Sequence, residues 1–268
     1  MEYLKGLQAL LVRPIQPDGH GDQILSAQLI AEGALLHHFP VMKIAPIESS
    51  LNQDLISHYI LNLLLYDRAI FVSRAATFFV VDWLKHNSDF MLQSLPVGPR
   101  YYAVGKTTAT ELKKYNVDAE LPDQEFSSEG LLGLPSLQRL TGEKILIFSG
   151  VGGRQLLADQ LRSRGAVVSQ CELYHREVLK DYTDHINDLI CSNKLGVVII
   201  HSGELLAYLV SQIREEGLHK LKQLPLLVPS ERVSLLAKNM GFQRIICAPS
   251  ALAEDIVSVL RGWCSNQC

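Results

Sequence analysis

The loop Ser149-Gly150-Val151-Gly152-Gly153-Arg154 is the stretch of this 268-residue chain whose residue types most directly suggest chemistry. Glycines between a strand and a helix let the backbone approach an anion, with the first helical N–H groups pointing at it. Gly152, Gly153 and Arg154 are therefore candidate anion-binding residues. As a dinucleotide fingerprint the loop fails, because its third glycine would fall at Gln155. Glu172 nevertheless stands about 20 residues on, where a ribose-binding acid belongs. No Lys-Ser/Thr pair follows, so the loop is not a phosphate-cradling P-loop.

Arg13 occupies the place in an earlier unit that Arg154 occupies here, beside the start of a helix. An arginine there can make forked hydrogen bonds to a carboxylate. A lone arginine is more often a solvated charge, and it is the repetition that favours function. Ser73, Gly105, Ser202 and Ser230 each follow an apolar run suited to a buried strand, with Thr107 and Thr108 just behind Gly105. Capping alone would explain such hydroxyls. Yet the carboxyl ends of strands are also where doubly wound sheets bind ligands, and caps aim free N–H groups the same way. Tyr174 lies in the extended stretch Glu172-Leu173-Tyr174-His175-Arg176. A tyrosine there usually covers apolar surface, but facing a ligand it is a neutral proton donor at pH 7. Histidines 37 and 38 are adjacent and 175, 185 and 201 belong to different elements, so no metal is expected.

The elements that must position these residues repeat. Leu10-Leu11-Val12-Arg13-Pro14 opens a strand-loop-helix unit closed by Gly33, and Lys144 to Phe148 opens a second closed by Gly165. Ala69 to Ser73 answers Val198 to Ser202, and Tyr102 to Gly105 answers Leu226 to Ser230. Strands are expected near 7–12, 69–72, 101–104, 144–148, 196–201, 225–228 and 245–248. Helices are expected near 22–32, 51–63, 75–86, 106–115, 155–164, 184–191, 203–215, 231–240 and 250–262. Short apolar runs buried on both faces, alternating with helical stretches, predict parallel sheets with right-handed crossovers. The fold class is thus α/β, with two similar doubly wound parallel-sheet lobes and a ligand held between them. Periodicity leaves open whether the lobes are successive halves or whether the chain leaves one lobe and later returns.

Composition narrows the classes. Hydrophobic residues make up 47% and charged residues 20%, the proportions of an ordinary globular protein. A net charge of −3 argues against a sequence-independent nucleic-acid or membrane-surface binder. Five scattered cysteines do not make a disulfide framework, and reduced thiols are expected. The start lacks the basic and apolar regions of a signal peptide, and no apolar run approaches the ~20 residues that span a bilayer. A cytoplasmic, monomeric protein is expected.

In order and spacing these motifs resemble the uroporphyrinogen-III synthase family across the whole chain. The resemblance rests on Leu11-Val12-Arg13-Pro14, Phe71-Val72-Ser73, Ala103 to Ala109, Gly152-Gly153-Arg154 with Leu156-Leu157, and Arg164-Gly165-Ala166. Tyr174-His175-Arg176 looks like the family's Tyr-x-Arg linker, and His201 to Glu204, Val228 to Arg232 and Gly241 complete the set. Two positions depart: Pro229 interrupts a strand end, and His201 stands where threonine is more usual.

The resemblance implies a discontinuous lobe one of 1–38 plus 179–268 and a lobe two of 46–170. A two-stranded linker of 39–45 and 171–178 would join them as a hinge. It implies a lyase, acting without a cofactor, that cyclises hydroxymethylbilane to uroporphyrinogen III with inversion of ring D and loss of water. Arg13, Ser73, Gly105, Thr107, Thr108, Gly152, Gly153, Arg154, Ser202 and Ser230 would bind the substrate's carboxylate arms, and Tyr174 would serve the departing hydroxyl. Two other classes remain: a nucleotide-binding oxidoreductase using the glycine loop and Glu172, and a non-catalytic two-lobed ligand-binding protein.

Overall fold

The computed structural model describes residues 3–17, 23–87, 95–153, 155–179 and 183–266. Arg154, the loop positions 18, 19 and 21 and the thiol of Cys268 lie outside the described residues. Among the described residues ten strands run in chain order: β1 (Gln8–Val12), β2 (Leu35–Phe39), β3 (Met42–Pro46), β4 (Arg68–Phe71), β5 (Arg100–Ala103), β6 (Lys144–Gly150), β7 (Val167–Val178), β8 (Val197–Ile200), β9 (Leu226–Val228) and β10 (Ile245–Cys247). They form two five-stranded sheets, ordered β10-β9-β8-β1-β2 and β3-β7-β6-β4-β5.

The chain divides into two compact units, Met1–Lys43 with Glu177–Cys268, and Ile44–Arg176. Within the first, β1 pairs in parallel with β2 and β8, and β8 with β9, which pairs with β10. Within the second, β4 pairs in parallel with β5 and β6, and β6 with β7. Both are α/β units, as the alternation of strand and helix predicts.

The reason lies in strands that are apolar on both faces. Leu10, Val12, Val198 and Ile200 pack on one side of the first sheet against Ile186, Ile190 and Leu209 from helices Thr183–Cys191 and Gly203–Gln212. Their neighbours Ala9, Leu11, Val197 and Ile199 face the other side and meet Leu25, Leu29, Ile256 and Leu260 from helices Gln23–Ala31 and Ala253–Ser265. The second sheet divides in the same way. Phe71, Ala103, Leu146 and Phe148 bury against helix Arg74–Asn87, while Ile70, Tyr102, Ile145 and Ile147 bury against helix Gln155–Ser163. Successive side chains of a strand point to opposite faces, so both faces need a helical layer.

Three details differ from expectation. The stretch expected over 39–45 as one linker strand is divided: β2 ends at Phe39, Pro40 interrupts the chain, and β3 begins at Met42 and joins the other sheet. The segment expected over 171–178 is the end of one 12-residue strand that starts at Val167. Helix 203–215 ends at Gln212, and a second helix, Glu215–Gln223, follows. That helix carries acidic residues in its first turn and lysines in its last, which complements the helix dipole. Its charge-rich sequence hides a narrow apolar stripe of Leu218 and Leu221, which is why it reads as loop.

Candidate functional site

In the second unit, β4 ends at Phe71 and helix Arg74–Asn87 begins three residues later. Ser73 stands between them, its Oγ accepting the Ala76 N–H at 3.0 Å. The same Oγ lies 2.8 Å from the hydroxyl of Tyr174. The Tyr174 ring is 2% exposed, stacks on Phe79 at 5.7 Å with an interplanar angle of 22°, and has the Arg176 guanidinium 5.9 Å from its centroid. Ser73 and Tyr174, one hundred and one positions apart, are thus brought together by the sheet. Tyr174 is buried and Ser73 is partly exposed, so the serine is the nearer of the two to an approaching ligand.

The glycine loop follows β6 on the neighbouring strand. Gly153 N–H donates to the Gly150 carbonyl at 3.1 Å, closing a tight turn with Gly152 at φ +68°. Gly152 N–H donates to Glu172 Oε1 at 3.1 Å. The carboxylate that a dinucleotide reading assigns to a ribose is therefore engaged by the loop's own backbone. Gly105 caps helix Lys106–Lys113 in extended conformation, φ −154°, with Thr107 exposed behind it and Thr108 buried.

In the first unit, Arg13, Ser202 and Ser230 follow β1, β8 and β9, three adjacent strands. Ser202 Oγ accepts the Leu205 N–H at 3.2 Å, and Ser230 Oγ accepts that of Val233 at 3.4 Å. Each caps a helix at the carboxyl edge of the sheet, as in Ser73. The strand register pairs Val12 with Ile200, which sets Arg13 and His201 at neighbouring strand ends. Both ring nitrogens of His201 are buried, with no hydrogen-bond partner among the described residues. Burial, then the charge of Arg13, holds its pKa well below the ordinary histidine value. The ring is therefore neutral.

Sequence reasoning missed Phe79 and gave no weight to His201 beyond its departure from the usual threonine. Helical spacing does put Phe79 on the face that packs the sheet, but nothing in the sequence tells its partner. A cavity of about 580 Å³ lies in the first unit, walled by Leu4, Leu7, Leu195, Pro225, Arg244 and Trp263. Leu4, Leu7, Leu195, Pro225 and Arg244 precede strands and Trp263 belongs to the last helix, so the cavity lies at the opposite edge from the caps and borders none of the candidate residues. Cys171 is buried and its thiol pushed up to about 12, which makes it no nucleophile at neutral pH. Among the described residues no group of three or more His, Cys, Asp or Glu is placed to hold a metal. None of the described helices is long and apolar enough to cross a membrane.

Two α/β units, each gathering helix caps and an arginine or tyrosine at the carboxyl edge of its sheet, define a two-unit α/β protein. Residues 23–258 match the family model described as uroporphyrinogen-III synthase HemD. The uroporphyrinogen-III synthase of Escherichia coli is 33% identical over 255 residues, covering 92% of this chain and 98% of that protein. That of Salmonella typhimurium is 40% identical over 172 residues, 62% of this chain and 68% of that protein. Among solved structures, a mutant uroporphyrinogen III synthase from Thermus thermophilus superposes with a TM-score of 0.67 at 13% identity, over 98% of this chain and 100% of its own. The Helicobacter pylori uroporphyrinogen-III synthetase gives 0.60 at 14%, over 96% and 100%, and the two together establish the shared fold. The chain belongs to the uroporphyrinogen-III synthase family.

Proposed function

We propose that this chain is a lyase of tetrapyrrole biosynthesis that converts hydroxymethylbilane to uroporphyrinogen III. Family membership over nearly the full length supports the reaction; neither the oxidoreductase nor the passive binder has comparable support. The observation that carries the chemistry is the Tyr174–Ser73 hydroxyl pair at a helix N-terminus.

The bilane's terminal hydroxyl must leave, and a proton or strong hydrogen bond on its oxygen lets it go as water. The electrophilic carbon left behind attacks the substituted position of ring D, giving a spirocycle. That intermediate fragments and recloses with ring D reversed. Uncatalysed closure gives no inversion, so the protein must hold a folded conformer and favour one attack geometry. Tyr174 supplies the donor, and because its ring is buried we assign the contact with the leaving hydroxyl to Ser73, polarised by Tyr174 behind it. Arg13, Ser202 and Ser230 in one unit, and Gly105, Thr107, Thr108, Gly152, Gly153 and Arg154 in the other, bind acetate and propionate arms. Helix N-terminal N–H groups and local arginines suit a net-negative protein to a polyanionic substrate.

In this reading 39–45 and 171–178 serve as the connecting ladder and hinge between lobes of 1–38 plus 179–268 and 46–170. The chain works as a monomer in the cytoplasm, with no cofactor and no nucleic-acid partner. The test supplies hydroxymethylbilane from a coupled bilane-forming enzyme and resolves the oxidised porphyrins by chromatography. Isomer III is expected in excess. Isomer I alone, at the rate seen without the protein, would overturn the assignment.

A further inference from the structure

Gly150 ends β6, and its backbone is outside the left-handed region that only glycine adopts freely, so the main chain there does not itself require a glycine. What requires it is space. A Cβ placed on Gly150 would fall 2.4 Å from Cε2, 2.7 Å from Cζ and 2.9 Å from Cδ2 of Tyr174. The contact follows from an irregularity in the sheet. Ser149 pairs with Glu172, but Gly150 pairs with Tyr174, so the register slips past Leu173. Val151 N–H then donates to the Tyr174 carbonyl at 2.7 Å, which fixes the tyrosine backbone beside the strand end. The ring has little freedom to yield, because Phe79 stacks on it and Ser73 holds its hydroxyl.

We infer that Gly150 is a positioning residue for Tyr174: the missing side chain is what seats the phenol with its hydroxyl at Ser73. The inference rests on the donor role given to Tyr174 above. Ordinary van der Waals contact begins near 3.4 Å, so an alanine methyl at 2.4 Å moves the ring by about 1 Å. A hydroxyl contact of 2.8 Å does not survive that displacement in the same geometry. Misplacing a catalytic group by about 1 Å costs on the order of 10²-fold in rate. The loss falls on kcat and on the III-to-I isomer ratio more than on KM, because the carboxylate-binding groups stay where they are.

The experiment compares Gly150→Ala, Tyr174→Ala and the double variant in the full chain. In ring-labelled protein the Tyr174 resonance, identified by its loss in Tyr174→Phe, is expected to shift in Gly150→Ala. The folded Gly150→Ala protein should lose about 10²-fold in kcat. In the Tyr174→Ala background the same glycine substitution should lower neither urea midpoint nor residual rate, since the methyl then enters vacated space. An unmoved resonance with full turnover overturns the inference, as does equal damage in both backgrounds. Should Gly150→Ala fail to fold, refolding of the double variant supports the clash and its failure overturns it. If Tyr174→Phe keeps full turnover, the donor role falls, while the resonance and the urea midpoints still decide whether Gly150 seats the ring.

Discussion

The hydroxyl of Tyr174 stands 2.8 Å from that of Ser73, which itself takes the Ala76 N–H at 3.0 Å. One serine therefore links a buried phenol to the positive end of a helix. If the two hydroxyls act as one donor, removing either removes the same interaction. A hydrogen bond to developing charge is worth about 1.5–3 kcal/mol, so Tyr174→Phe and Ser73→Ala should each lower kcat by about 10- to 150-fold. The double variant should be little worse than the poorer single one, as for residues that work as a unit. Isomer-resolved initial rates decide this, and independent multiplicative losses would separate the two roles.

Ser202 and Ser230 cap helices whose first turns lie at the other carboxyl edge. Replacing either by alanine leaves a helix N–H without its acceptor and should lower stability by about 1 kcal/mol, read from urea unfolding. If these caps also direct N–H groups at substrate carboxylates, each variant raises KM with kcat near that of the parent. Stability loss with an unaltered KM would reduce both serines to capping alone.

The doubly wound units were legible because β8 and β4 are apolar on both faces, a pattern that surface strands do not show. The caps were legible too, since a serine after a buried run has few other uses. The seat of Tyr174 was not, because it depends on a register slip between β6 and β7 and on Phe79 arriving from a third element. Long-range register leaves no local trace in residue spacing. Gly150 likewise reads as one more loop glycine until the ring beside it is placed.

Arg68 opens β4 at 6% exposed, pairing with both oxygens of Glu143 and with the Tyr102 hydroxyl. Its place at the amino end of the strand, away from the caps, marks it as structural. Glu143→Gln leaves the 7%-exposed Arg68 guanidinium without its counter-charge and should cost about 3 kcal/mol, whereas Arg68→Met leaves a carboxylate that is 30% exposed and can take up water, and should cost about 1–2 kcal/mol. Urea midpoints test the order. Turnover per folded molecule should be unchanged in both, which separates this pair from the residues at the carboxyl edge.

His201 gives the fold a pH dependence whose sign is fixed by its depressed pKa. Below about pH 6.5 the histidine of the unfolded chain takes up a proton that the buried ring, next to Arg13, refuses. The unfolded state then binds more protons than the folded state, so unfolding free energy falls as pH falls. Above pH 6.5 both states carry a neutral ring and the contribution is complete. The slope from this one group is at most about 1.4 kcal/mol per pH unit, continuing down toward the folded-state pKa. His201→Thr removes the group and should flatten the stability curve between about pH 6.5 and 5, while other titrating groups act equally in both proteins and cancel in the difference. Urea unfolding of parent and variant at several pH values measures that difference directly. Curves that stay parallel across the interval would mean that His201 takes up its proton in the folded chain over the same pH range as in the unfolded chain, and would overturn the prediction.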